Sequence, residues 1–297
     1  MLEIFYHPIY TSGISKSSNF PRERYQLIFE SISKSNRNKD IKFKIPKKIN
    51  VKHLYNVHQK KYVNNLIHLI ADENFTTFDF VEKKLFQQIK LSGKSVAQIN
   101  CNNARELISV KRAGASRCVG FDISDEFIKQ GEALKQAAGV DIELVCTDIY
   151  ELGDHYDNQF DLLYITIGVL GWLPDLESFF AILVRLLKPG GQILIYESHP
   201  VLELFEEDSG GTIRNDYFNK KPYFEEDGND YMNPNEIIKS PCYWFHHPLS
   251  EILGSLIAHG FNITHFDEYA HDISNRAAFL SEQESRPPMC FSLIASK

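Results

Sequence analysis

Apolar and polar positions alternate along this chain with two different periods. Residues 2–6 look like a strand, and Ile41-Lys42-Phe43-Lys44-Ile45 repeats every second position, the pattern of a half-buried strand that Pro46 ends. Helical spacing marks 21–33, where Tyr25, Leu27, Ile28 and Ile32 face a core, and again 51–70. From residue 78 strands and helices take turns. Helix 79–90 leads to strand 95–100, helix 104–113 stops at Gly114, and strand 117–122 follows. Helix 125–138 is closed by Gly139 and precedes strand 141–146. Strand 160–166 is then followed by helix 176–187, a Lys188-Pro189-Gly190-Gly191 turn and strand 192–197. Strands separated by helices of roughly ten to fifteen residues form βαβ units and a parallel sheet. The tail, helix 249–259 with strands 261–269 and 289–295, would close the sheet with an antiparallel pair.

Composition narrows the class. With 43% hydrophobic and 24% charged residues in 297, the chain can bury a core, which excludes wholesale disorder. Its longest apolar run, Leu162 to Leu173, has 12 residues. A membrane helix needs about 20, so no membrane partner is expected. The opening residues lack the basic lead and apolar core of a signal peptide. Five scattered cysteines, at 101, 118, 146, 242 and 290, read as reduced thiols of a cytoplasmic protein.

Charge divides the chain as the periodicity does. Residues 1–70 hold 13 Lys/Arg against 4 Asp/Glu, a balance of +9, and the remainder carries −16. Because the lysines alternate with apolar residues, they read as the wet face of a strand, not as a nucleic-acid arm. The expected organisation is a small α/β segment over 1–72 and a larger domain over 73–297, with an insertion at about 201–245.

In an open parallel sheet, ligands sit beyond the carboxyl ends of the strands, where strand order reverses. Three strand ends carry suitable chemistry. Val96 to Arg105 turns a strand into a helix. Val119-Gly120-Phe121-Asp122 ends in an acid 24 residues after Gln98, where a carboxylate would hold a ribose diol. Cys146-Thr147-Asp148-Ile149 offers an acid that could accept from an exocyclic amine.

Together with Phe160-Asp161-Leu162-Leu163-Tyr164 and Leu186-Leu187-Lys188-Pro189-Gly190-Gly191, these stretches resemble class I S-adenosylmethionine-dependent methyltransferases over roughly residues 78–297. The resemblance implies a Rossmann-like seven-stranded sheet with helices on both faces, its last strand antiparallel, and S-adenosyl-L-methionine as cofactor. Carried over, Asp122 would hold the ribose with Ile123 beside it, and Asp148 with Ile149 would meet the adenine edge. Gln98, Asn100, Cys101 and Asn102 would lie under the methionine part, with Thr166 and Ile167 near the donor sulfur. The first motif departs from the family: Gln98 stands for its acid, and Asn100, Asn102 and Ala104 for its glycines. Asn is the next-best residue at positive φ, and Ala adds only a methyl, so the loop can keep its shape.

Direct methyl transfer needs a base only when the acceptor must lose a proton. Glu197 and His199 after strand five, and His246 or His247 before the last helix, are the candidates. Trp172 and Tyr164 are pocket candidates, with sheet core the preferred role for Tyr164. Within 203–230 nine acids face three bases, with Phe205, Tyr217, Phe218, Tyr223 and Phe224 interleaved and Tyr231 next to the last acid. That cover opposes nucleic-acid substrates. As an acidic, aromatic lid it would suit a cationic or amine acceptor, within the expected class of a small-molecule methyl acceptor; the plainer reading is a solvated surface loop pinned by a few rings. Tyr6-His7-Pro8-Ile9-Tyr10, Phe20 to Tyr25 and Val57 to Val63 resemble the opening of histone-deacetylase-like amidohydrolases, over about residues 3–70 only. No counterpart of that family's zinc ligands follows, so no metal is expected, and the segment reads as a partner-docking piece. The opposing reading of the whole chain is a non-catalytic binding protein with a degenerate donor loop.

Overall fold

The computed structural model describes residues 2–5, 41–44, 67, 69–206, 210–225, 228–230, 233–238, 242–274, 277–281 and 283–297. The chain divides into two compact units, Met1–Leu66 and Ile67–Lys297. In the first, β1 (Leu2–Phe5) and β2 (Ile41–Lys44) pair in parallel, with Leu2 opposite Ile41. The helix expected over 21–33 and the three deacetylase-like stretches lie outside the described residues, as does the helix over 51–70 except its last turn.

The second unit begins with α1 (Phe80–Ile89), started by a capping box: Asp79 accepts from the Val81 and Glu82 amides, and Glu82 accepts from the Asp79 amide. Then come β3 (Ser95–Ile99), α2 (Arg105–Arg112), β4 (Arg117–Asp122), α3 (Asp125–Ala138), β5 (Glu143–Cys146) and β6 (Phe160–Ile165). After these follow α4 (Leu176–Leu186) and β7 (Leu187–Ser198). Short strands β8 (Tyr223–Glu225), β9 (Gly228–Asp230), β10 (Asn233–Ile238) and β11 (Cys242–Trp244) occupy the expected insertion as two antiparallel pairs, β8 with β11 and β9 with β10. The chain finishes with α5 (Leu249–Ala258), β12 (Asn262–Tyr269), α6 (Ala278–Ser281) and β13 (Cys290–Ser296).

Seven strands form one sheet in the order β12-β13-β7-β6-β3-β4-β5. The five from β7 to β5 run parallel, and β13 lies antiparallel to both its neighbours. Chain order runs outward from β3 through β4 to β5 on one side, and from β6 to β7 on the other. The reversal between β3 and β6 opens a crevice at their carboxyl ends.

One face of the sheet packs Ala97, Ile99, Val119, Phe121, Leu163, Ile165, Ile193 and Ile195 against α4 and α5, through Phe179, Phe180, Leu183, Ile252 and Leu256. Each such side chain contributes roughly 1.5–3 kcal/mol on burial. Helices α1, α2 and α3 cover the other face. The Lys188-Pro189-Gly190-Gly191 segment is not a loop before the strand but part of β7. Register jumps between the Phe160–Leu187 and Leu162–Gln192 pairs, and Gly190 takes up the bulge at φ 74°. A side chain at Gly191 would meet Lys188 O at 2.9 Å and Phe160 O at 3.1 Å, so the bulge is open only to glycine.

Candidate nucleoside crevice

The loop leaving β3 carries three left-handed residues at alternating positions: Asn100 (φ 50°), Asn102 (φ 51°) and Ala104 (φ 61°). Asn tolerates this region through local hydrogen bonds, whereas Ala is strained there by about 1–2 kcal/mol. Asn102 Oδ1 accepts from the Asn103 amide at 2.7 Å, a local bond of that kind. The loop is also anchored from outside. Cys101 N donates to Phe121 O at 2.9 Å, and Asn102 N donates to Asp122 Oδ2 at 2.7 Å. Glycines lie beneath the loop instead of within it: a Cβ at Gly120 would stand 2.7 Å from Cys101 Sγ, and one at Gly131 would stand 3.3 Å from Asn103 O. The turn keeps its path because its supports are small.

Asp122 is only 7% exposed, and its second oxygen accepts from Ser124 N at 2.9 Å. Burial raises its pKa, and the two amides oppose the rise. One amide per oxygen leaves each oxygen a lone pair for a ligand hydroxyl. Gln98 is buried under the loop; its Nε2 donates to Thr166 Oγ1 at 3.3 Å, and its Oε1 has no partner. A buried carbonyl left unpaired costs about 1–3 kcal/mol, so it favours a donor arriving in the crevice. Ile123 and Ile167 stand exposed at the tips of β4 and β6 and give the opening apolar sides. Asp148 starts a short turn by accepting from Tyr150 N at 2.9 Å, while the Ile149 side chain is buried in the core and can offer only backbone. The crevice thus brings together Gln98, Asn100, Cys101, Asn102, Asp122, Ile123, Thr166 and Ile167, with Asp148 on the neighbouring strand end.

The candidate bases lie elsewhere, each tied into scaffold. Glu197 accepts from the amides of Gly168 (2.5 Å), Ser198 (2.8 Å) and Leu170 (3.3 Å), which fixes the loop after β6. Its burial pushes its pKa up to about 7, against those bonds. His199 Nδ1 accepts from Val201 N at 3.1 Å, and Nε2 lies 2.8 Å from Glu268 Oε1; burial lowers its pKa. An acceptor Nδ1 places the proton on Nε2, toward Glu268. His247 Nε2 meets Leu173 O at 2.7 Å and ties the chain after the insertion to the loop following β6, while His246 Nε2 meets Tyr217 O at 2.6 Å, a contact back to the insertion itself.

Two features escaped the sequence pattern. Tyr164 and Tyr196, on adjacent strands, send their hydroxyls to the capping box of α1: Tyr164 donates to Glu82, and Tyr196 donates to Asp79 at 2.6 Å. Burial raises Glu82 to about 7, although the Tyr164 hydroxyl pulls the other way. Trp244 of β11 packs flat on Gly171, where a Cβ would stand 2.1 Å from its ring. A glycine beside a tryptophan 73 positions away in the chain gives no local signal. Among the described residues no three His, Cys, Asp or Glu side chains gather as a metal site, and no helix is long and apolar enough to cross a membrane.

A family described as "Methyltransferase domain" matches residues 97–195, the stretch that builds this crevice. The chain is 25% identical over 107 residues to a ubiquinone biosynthesis O-methyltransferase of Pseudomonas entomophila, covering 36% of this chain and 45% of that protein. It is 31% identical over 105 residues to a tRNA U34 carboxymethyltransferase of Aliarcobacter butzleri, covering 35% of this chain and 34% of that one. The chain therefore spans less than half the length of these curated relatives. Among solved structures it shares its fold with an S-adenosylmethionine-dependent methyltransferase from Mesorhizobium loti, at TM-score 0.51 and 19% identity over 73% of this chain and 97% of that one. It is also similar to a geranyl diphosphate C-methyltransferase from Streptomyces coelicolor, at TM-score 0.51 and 11% identity over 72% and 77%. Sheet order and family match agree: residues 97–195 match a methyltransferase-domain family, and the sheet that carries them has the fold of the solved methyltransferases.

Proposed function

We propose that the chain transfers a methyl group from S-adenosyl-L-methionine to a small-molecule acceptor. One observation carries this reading: the loop at Asn100, Asn102 and Ala104 holds its left-handed alternation without glycine, with Asp122 bound to its amide. The residues present fit the cofactor. Asp122 keeps free lone pairs for two ribose hydroxyls, Gln98 Oε1 awaits an N–H donor, and Ile123 and Ile167 leave exposed apolar surface at the ends of β4 and β6. When bound, the cofactor supplies a methyl group activated by its sulfonium.

The protein's own task is to hold the reactants in line, which accounts for several kcal/mol of barrier in such displacements. Glu197 serves as a positioning group, since its carboxylate fixes the amides of the Gly168–Leu170 loop beside the crevice. His199 and His247 act in the same structural sense. The acidic cover over 203–230 supports a small acceptor over a polyphosphate chain. Residues 1–72 are proposed as a separate docking segment, and the cytoplasm as the site of action.

The test supplies S-adenosylmethionine and fractionated cell extract, and follows release of S-adenosylhomocysteine. Release that requires the low-molecular-weight fraction supports the reading. Release that requires only RNA or protein overturns the acceptor class. The second reading, a binding protein that does not turn over, is favoured by the loss of the acid at Gln98; it predicts cofactor binding with no release from any fraction.

A further inference from the structure

The chain has two tryptophans, Trp172 and Trp244, and the fold brings both to one place. Their rings meet edge to face, with centroids 5.4 Å apart. Trp244 lies across the loop that follows β6. Its ring fills the space over Gly171, its far edge reaches within 4.0 Å of where a Cβ would stand on Gly168, and Phe245 N donates to Gly171 O at 2.8 Å. That loop forms one bank of the crevice between β3 and β6. Trp172 is 40% exposed, so part of its ring is open to a ligand.

Charge says what such a pair is suited to meet. Trp244 Nε1 donates to Glu203 Oε1 at 3.2 Å, and a carboxylate at the indole N–H makes the ring richer in electrons. The stretch from 203 to 230 carries a net charge of −6. Tryptophan is the strongest side-chain partner for a cation over its face.

We propose that Trp172 and Trp244 form the acceptor-recognition wall of the crevice and select a methyl acceptor bearing an organic cation. The inference rests on the methyltransferase reading above and adds the substrate's chemical class. Gly171 belongs to the same device, because any side chain there would displace the Trp244 ring.

The two indoles are the only ones in the chain, so tryptophan emission reports on this wall alone. The full chain, saturated with S-adenosylhomocysteine, is titrated with choline and with its uncharged isostere, in which tert-butyl replaces trimethylammonium. The expected result is a saturable change in emission with choline, at an affinity about tenfold above that of the isostere. Trp172→Leu and Gly171→Ala should each weaken choline by about tenfold, the second with both indoles still present. Equal response to both probes, or none to choline, overturns the proposal. Calorimetry with S-adenosylhomocysteine on the same samples separates the two levels. Nucleoside binding without a choline response removes this inference alone, and absent nucleoside binding removes the methyltransferase reading with it.

Discussion

The two faces of the central sheet are built from different materials. Against α4 and α5 the face is apolar throughout, from Ala97 to Ile195. Against α1 it buries Gln98, Tyr164 and Tyr196, and the last two hold the carboxylates of Glu82 and Asp79. The first arrangement supplies non-directional stability. The second fixes where one helix begins, because a hydroxyl–carboxylate bond has a direction and a methyl contact does not. The strand tips that form the crevice are therefore held from below by packing and from above by a few polar bonds.

The largest way to test that division is in the apolar face. Phe180→Ala, in α4, is expected to lose about 3–5 kcal/mol of unfolding free energy in urea, from a cavity with no polar group involved. On the polar face the response should depend on pH. Burial pushes Glu82 on that face, and Glu197 at the end of β7, up from 4.5 to about 7. A raised carboxyl pKa favours the fold at low pH, and that contribution is lost as pH climbs from 4.5 through about 7. Unfolding free energies in urea should fall across this window by up to about 3 kcal/mol per group, and Glu82→Gln should flatten part of the slope. A profile equally steep in wild type and variant would place the charge elsewhere.

Tyr164→Phe leaves one oxygen of Glu82 without its donor and is expected to cost about 1–3 kcal/mol, more above pH 7 than below it. Asp122→Asn should weaken S-adenosylhomocysteine by about tenfold in calorimetry, close to 1.4 kcal/mol. The smallest expected effect has the opposite sign. Ala104→Gly relieves a left-handed alanine, and even after the added freedom of the unfolded chain it should raise stability by about 0.5–1 kcal/mol in thermal melts.

Much of this architecture is readable from residue order, because each strand and helix between 79 and 146 carries its own punctuation. Ser124 caps α3 and Gly139 ends it at φ 64°. The crevice is legible for the same reason: Asp122 closes an apolar strand, and Asn tolerates the region where glycine is usual. What could not be read are contacts between distant positions. Tyr164 looks like sheet core until Glu82 is placed above it, and Gly171 looks like a turn residue until Trp244 lies on it. The bulge at Gly190 reads as a loop because Pro and Gly mark both, and only pairing with Phe160 and Leu162 makes it strand. His199 and His247 read as catalytic by residue type, yet their ring nitrogens are taken up by Val201, Glu268, Leu173 and Glu251.

The central claim is that a turn poor in glycine still frames a nucleoside. Titrating S-adenosylhomocysteine into the full chain in a calorimeter addresses it without knowledge of the acceptor. One-to-one binding in the micromolar range is the expected result. No heat at millimolar ligand would show the turn closed to the nucleoside, and would contradict the account.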